Sequence, residues 1–430
     1  MSEGKRILLL FSASFPYPGA AEDTFLGPEI EHLSRIFDRV LIIPANSKGS
    51  PCTVPEGIRV EEGLARTIES KEFSRKVGKL VVTLSSLRIY QEIASHPSWL
   101  RHPGGMKRML AYAASVVLTK NWICSFIHQE GLDLHSTVFY TYWFDAVTMG
   151  VGLAKTEYSG IRVISRAHRF DVYPEQHSPP VIPFRREALR LVDSVVFVSK
   201  AATDYYAEMF PEFEEKYKTS YLGVNDPGFL TRGSGPGCFN VVSCSSLVPV
   251  KRVDLLIKGL SHLGKIREDM EIEWIHLGGG PLEGQIKNLA QNYLPANIRF
   301  NFKGHLPNQE VFEFYREQPV DLLINVSSSE GLPVSIMEAQ SCGIPVIATG
   351  VGGNPEIVNS ENGLLLCADP TPQEISRAIE SFLIDPLARQ EKARISRLNW
   401  EEKFNATANH TIFARGLAQS LLGAENKLSR

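Results

Sequence analysis

The sequence predicts an α/β protein of two domains, each a parallel sheet doubly wound by helices. Three observations carry this reading. Strand-length apolar runs alternate with helical runs along the chain, as in successive βαβ units. At 430 residues the chain exceeds one ordinary domain. A Gly- and Pro-rich stretch, Val224 to Cys238, interrupts the pattern near the middle and reads as a linker. The expected divisions are residues 1–223, the linker 224–238, residues 239–400, and a final helical segment 401–430.

In the first half, Lys5 to Phe11 reads as a buried parallel strand, followed by the loop SASFPYPGAAEDTF, a helix from Leu26 to Ile36 and a strand from Arg39 to Ile43. Between residues 66 and 120 there are ten Lys or Arg against three Glu, interleaved with apolar residues. A basic helical face of this kind suits peripheral contact with an anionic membrane surface, and equally suits a solvated face over a core stripe. Val138 to Tyr142 and Arg162 to Ser165 read as strands. His168 follows the second of these, at the carboxyl edge of the sheet where parallel α/β folds bind ligands. Ser194 to Ser199 is a further strand.

The second half opens with a strand, Phe239 to Cys244, and the loop SSLVPVKR leading into a helix. A helix that begins just after a strand offers backbone N–H groups to a diphosphate, with Lys251 and Arg252 beside them. Glu273 to Leu277 runs into Gly278, Gly279 and Gly280, read as a tight turn that lets a ligand approach; the GxGxxG spacing of a dinucleotide fingerprint is not kept. Ile298 to Phe302 precedes the loop KGHLPNQE. Then comes DLLINVSSSEGLPVSIMEAQSCGIPVIATGVGGNPEIV, read as strand, loop, helix, strand. Glu330 lies on its loop and Glu338 on its helix, between Met337 and Ala339. A carboxylate in apolar surroundings needs hydrogen-bond donors, and sugar or ribose hydroxyls supply them. The end of the chain, from Trp400, reads as one long helix.

Composition narrows the classes. Lys and Arg number 45 against 48 Asp and Glu, so no overall field favours nucleic acid. Six scattered Cys without metal or redox spacing suit a reducing cytosol. The apolar start of MSEGKRILLLFSASFP is too short for a signal peptide, and no apolar run approaches the roughly 20 residues that span a bilayer. A soluble cytoplasmic protein, at most peripheral at the cytoplasmic face of the membrane, is expected.

EGLPVSIME, with two Glu separated by seven residues, resembles the signature of the retaining glycosyltransferases of family four. GIPVIAT and VGGNPEIV continue the likeness, and TFLGPEIEHLSRIFDRVLIIP is similar to the branch of that family associated with bacterial capsule and exopolysaccharide assembly. The resemblance implies the GT-B fold: two Rossmann-like domains facing a cleft, with the carboxyl-terminal helix crossing back to the first. It implies a hexosyltransferase that moves a sugar from a nucleoside-diphosphate sugar to the hydroxyl of a saccharide or lipid-linked acceptor, with retention. Glu338 would hold the ribose, Glu330 would contact the donor sugar, and His168 would lie on the acceptor side. Lys251, with Arg252, would neutralise the diphosphate, while N–H groups of Leu332, Val334 and Ser335 face donor oxygens. The family usually has Arg where this chain has Ser246, and many relatives have Gly where it has Arg169. No Asp-x-Asp occurs, so neither a metal nor another cofactor is expected. Two alternatives stand beside this reading: a nucleotide-sugar epimerase on the same fold, and a degenerate member that binds nucleotide sugar without turnover.

Overall fold

A computed structural model describes residues 5–19, 22–69 and 104–422. The chain forms two compact units, Met1–Ser220 together with His410–Arg430, and Tyr221–Asn409.

The first unit is built on seven parallel strands: β1 (Ile7–Ser12), β2 (Arg39–Pro44), β3 (Arg59–Val60), β4 (Thr137–Thr141), β5 (Val163–Ala167), β6 (Ser194–Phe197) and β7 (Tyr217–Thr219). Their order is β3-β2-β1-β4-β5-β6-β7. Winding therefore reverses between β1 and β4, and that is where a doubly wound sheet opens a crevice at its carboxyl edge. Side chains alternate between the two faces with period two. Leu8, Leu10, Val138 and Tyr140 pack with helix Asp23–Ile36 and with Phe413 and Leu417 near the end of the chain. Leu9, Phe11 and Phe139 pack on the opposite face with helix Gly105–Glu130.

That helix corrects one expectation. By length and composition Gly105–Glu130 could cross a membrane. Lys107, Arg108 and Lys120 interrupt the apolar run, so it escapes a reading based on unbroken runs. Met109, Ala113, Val116, Ile123, Phe126 and Ile127 are buried in the core of the unit. Of the basic stretch 66–120, residues 70–103 lie outside the described residues. Of the remainder, Arg66 pairs with Glu62 and Lys120 with Glu157, each at 2.7 Å.

The second unit repeats the plan with six parallel strands: β8 (Cys238–Cys244), β9 (Glu271–Leu277), β10 (Ile298–Phe302), β11 (Leu322–Asn325), β12 (Val346–Thr349) and β13 (Gly363–Leu366). The order β10-β9-β8-β11-β12-β13 places its reversal between β8 and β11. The architecture is the α/β class expected, two Rossmann-like sheets of GT-B type. The stretch read as a linker is fastened to the second unit. Thr231 donates its N–H to the Cys342 carbonyl and its hydroxyl to the Tyr315 carbonyl, each at 2.9 Å, and the Ser234 N–H donates to Asp321.

The final segment is not one helix. Helix Pro386–Asn399 passes into a π-helical turn, Trp400–Phe404, and a new helix, Ala406–Leu422, begins after extended Asn405. Burial of Trp400 and Phe404 in the second unit explains the break, together with a bridge between Asn405 and Val224. The Phe404 carbonyl accepts the Val224 N–H at 2.9 Å, so it is withdrawn from the helical ladder. From His410 onward the chain belongs to the first unit.

Candidate functional site

Two loops meet at the reversal of the second sheet, one after β8 and one after β11. Ser328 donates its N–H to the Val250 carbonyl at 2.8 Å, which joins them. Lys251, in the first loop, extends Nζ to Oε1 of Glu330 in the second, at 2.6 Å. Asn325 at the end of β11 donates Nδ2 to the same oxygen at 3.0 Å. Burial works against ionisation of Glu330, but the Lys251 charge and the hydrogen bonds from Lys251, Ser327 and Asn325 together outweigh it and hold the carboxyl below its usual range. The result is a buried, ionised carboxylate with a partly exposed ammonium beside it.

Arg252 is adjacent in sequence and differs in use. Its Nε donates to the Val326 carbonyl at 2.7 Å, and Nη2 donates to the Ser327 and Ala368 carbonyls. Nη1 binds Asp369 at 3.0 Å. Of five guanidinium N–H groups, this leaves one for a ligand. Arg252 thus ties the β8 loop to the β11 loop, and Lys251 is the cation left facing Glu330. Ser246 is exposed.

Glu338 lies on helix Val334–Ser341 and is 5% exposed. Its carboxylate accepts a hydrogen bond from Nδ2 of Asn308, at the start of helix Asn308–Glu317. Burial pushes Glu338 up to about 7, against the pull of that bond. Leu332 precedes Pro333, the N-cap residue. Val334 and Ser335 open the helix, so their N–H groups point out of its first turn without intrahelical acceptors. The backbone of Gly352 and Gly353 presses on this loop: a Cβ there would sit 1.9 Å from the Glu330 carbonyl oxygen and 2.3 Å from that of Gly331. Only glycine fits such an approach.

Two of the glycines after β9 make room for the protein's own backbone. A Cβ on Gly278 would lie 2.0 Å from the Ser245 carbonyl oxygen, and one on Gly280 would lie 2.6 Å from that of Leu247. The loop after β8 fills the room they leave. Beneath it Ser243 Oγ accepts from Trp274 Nε1 at 2.9 Å and lies 2.8 Å from His276 Nδ1.

In the first unit, His168 follows β5 and packs against the Tyr142 and Trp143 rings, with centroids 4.7 Å away. Burial, reinforced by the Arg166 charge, pushes it down to about 3, so the imidazole is neutral. Its Nε2 has no partner among the described residues. Asp171 accepts the backbone N–H groups of His168 and Phe144 and so fixes the turn that carries the imidazole.

Several groups escaped the sequence reading. Glu22 accepts the N–H groups of Ala13, Ser14 and Phe15 at 2.7 to 2.8 Å, and the Trp143 Nε1 at 2.5 Å. The nest after β1 is therefore filled by the protein's own carboxylate. Glu29 and Arg166 form an ion pair with neither side chain exposed, and Tyr140 donates its hydroxyl to Glu29 at 2.9 Å. Asn308 and Asn325 were also missed, because contacts across 30 residues, or across a loop, leave no local pattern.

Comparison with known proteins bears on the second unit first. Residues 237–399 match the family described as Glycosyl transferases group 1. The matched segment, less than half of the chain, contains Lys251, Glu330 and Glu338. A GDP-mannose-dependent monoacylated alpha-(1-6)-phosphatidylinositol monomannoside mannosyltransferase of Corynebacterium glutamicum is 29% identical over 171 residues, 38% of this chain and 43% of that protein. The chain thus aligns with less than half the length of that relative. The putative colanic acid biosynthesis glycosyltransferase WcaL of Escherichia coli is 24% identical over 328 residues, covering 74% of this chain and 76% of that protein. The crystal structure of Anabaena Alr3699/HepE in complex with UDP superposes with a TM-score of 0.62 at 19% identity, covering 96% of this chain and all of that one. A likeness at that identity shows a shared fold, which extends beyond the matched segment to both units.

Proposed function

We propose that this chain is a retaining hexosyltransferase that takes a sugar from a nucleoside-diphosphate sugar and passes it to an acceptor hydroxyl. The observation that carries the reading is the Lys251–Glu330 pair at the β8–β11 reversal, inside the segment that matches the glycosyltransferase family. Departure of a nucleoside diphosphate places negative charge on the leaving oxygens. Lys251 and the N–H groups of Leu332, Val334 and Ser335 supply preorganised positive potential for it. Glu330, kept ionised, accepts hydroxyls of the donor sugar and holds Lys251 in place. Glu338 accepts the ribose hydroxyls. His168, neutral and with Nε2 unpartnered, belongs to the acceptor side and orients a sugar hydroxyl.

No metal or other cofactor enters this proposal. The diphosphate's counter-charge is Lys251. The alignment with WcaL favours a saccharide acceptor, free or lipid-linked. Six free cysteines suit a reducing compartment.

A thermal-shift panel of nucleotide sugars, followed by product analysis with the donor that raises Tm most, tests the reading. An α-linked product from an α-linked donor, formed in the presence of chelator, is expected. Inversion at the anomeric carbon, loss of activity with chelator, or interconversion of donors with no acceptor present would overturn it.

A further inference from the structure

Asn308 and Glu338 come from different βα loops of one sheet. Asn308 opens the helix after β10, whereas Glu338 lies on the helix after β11, and they meet through the Asn308 amide. A carboxylate offers about four lone-pair sites, and a buried one without a cation depends on every donor it can find. Among the described residues no Lys, Arg or His pairs with Glu338. The titratable groups that face it are Cys244 at the end of β8, Tyr315 on Asn308's helix and Cys342 on its own helix. Burial pushes both thiols up to about 12 and the phenol well above its usual value, so all three stay neutral through the physiological range. Asn308 is then the side chain that favours the charged carboxylate.

Resting on the reading that Glu338 receives the donor's ribose, we propose that Asn308 is a positioning residue: its amide holds one carboxylate oxygen of Glu338 so that the other is presented, ionised, to a ribose hydroxyl. Glu338 is poised near neutrality, so the fraction able to accept from ribose changes over the range in which the protein would work. Taking the amide away removes a donor that only the ionised form fully uses. The ribose then binds a site that is protonated to a higher pH. Affinity falls at neutral pH and returns in alkali, a pattern that mere loosening of the loop would not give.

The test uses the full chain and calorimetric titration with UDP, GDP and ADP and their 2′-deoxy counterparts, from pH 6 to 9. The nucleotide that binds wild type tightest carries the comparison. Wild-type affinity is expected to rise about fivefold from pH 6 to 7 and to level off above pH 8. In Asn308→Leu the rise moves to higher pH, with affinity at pH 7 lower by about fivefold or more and the ribose-over-deoxyribose preference recovered only near pH 9. Asn308→Ser, which keeps a hydroxyl donor and is smaller, should fall between the two and serves if the leucine variant does not fold. A wild-type pH profile in both variants, while Glu338→Gln weakens binding, overturns the role of Asn308 alone. Undiminished nucleotide affinity in Glu338→Gln, or binding of none of the probes by wild type, overturns instead the reading of the site on which the inference rests.

Discussion

At the scale of single residues, two neighbouring cations have been given different work. Lys251 leans on one carboxylate, while Arg252 grips three carbonyls and Asp369. Lys251→Ala is therefore expected to lower turnover on the order of 100-fold, and also to lower Tm, because buried Glu330 is left without its cation. Arg252→Ala should lower Tm with a much smaller loss of turnover, because the β8 loop loses its tie to the β11 loop; steady-state kinetics and thermal unfolding on both variants check the contrast. Glu338 supplies the opposite case, a group that is costly to keep. Its folded-state value near 7 exceeds the ordinary 4.5, so the folded state holds more protons between those values and stability falls as pH rises through that window. Glu338→Gln should then raise stability at pH 8 by on the order of 3 kcal/mol in the absence of nucleotide, read from urea unfolding with no ligand present. In the sequence, Lys251, Glu330 and Glu338 were marked by their place near strand ends and, above all, by the likeness of EGLPVSIME and of the loop after β8 to a known family. Arg252 was assigned to the same ligand as Lys251, since adjacent residues at a helix start look alike until the carbonyls around them are placed. Asn308 and Asn325 had no such local mark.

At the scale of elements, the central strands were legible because a sheet buried on both faces leaves continuous apolar runs, whereas the short, largely unburied edge strands β3 and β7 left none and were not read. What the runs could not disclose is how helices end on one another. The helix from Ala406 lays Phe413 over the Arg166 guanidinium, 3.9 Å from ring centroid to Cζ, and brings His410 within 3.5 Å of Glu29. Glu29 is fully buried; burial opposes its ionisation, yet Arg166, His410 and Tyr140 bring it down to about 2. Because that value lies below the ordinary 4.5, the pair stabilises the fold above pH 4.5, and the contribution is lost as pH falls toward 2. Arg166→Leu leaves a buried carboxylate without its main partner and is expected to cost about 3 to 5 kcal/mol at pH 7. Adding Glu29→Gln should restore much of that loss. Equal destabilisation in the single and double variants, measured by urea unfolding, would show that packing on Phe413 and not charge is what Arg166 provides. The misreading of the chain end as one helix has the same origin: Trp400 to Phe404 are compatible with helix, and the bridge from Val224 that stops it lies about 180 residues away in sequence.

At the scale of the whole molecule, the chain repeats one strand order twice, with an added edge strand in the first sheet. Repetition of a plan usually suggests repetition of a use, and the two reversals could each have cradled phosphate at backbone N–H groups. They do not offer the same thing. Where the second sheet presents Lys251 beside helix-opening N–H groups, the first gives the N–H groups of its β1 loop to Glu22. A guest anion arriving there meets a resident negative charge whose hydrogen bonds it would have to replace. The stoichiometry of nucleotide binding follows: calorimetry should count one molecule per chain, and not two, with the single equivalent abolished by changes around Lys251 and untouched by Glu22→Gln.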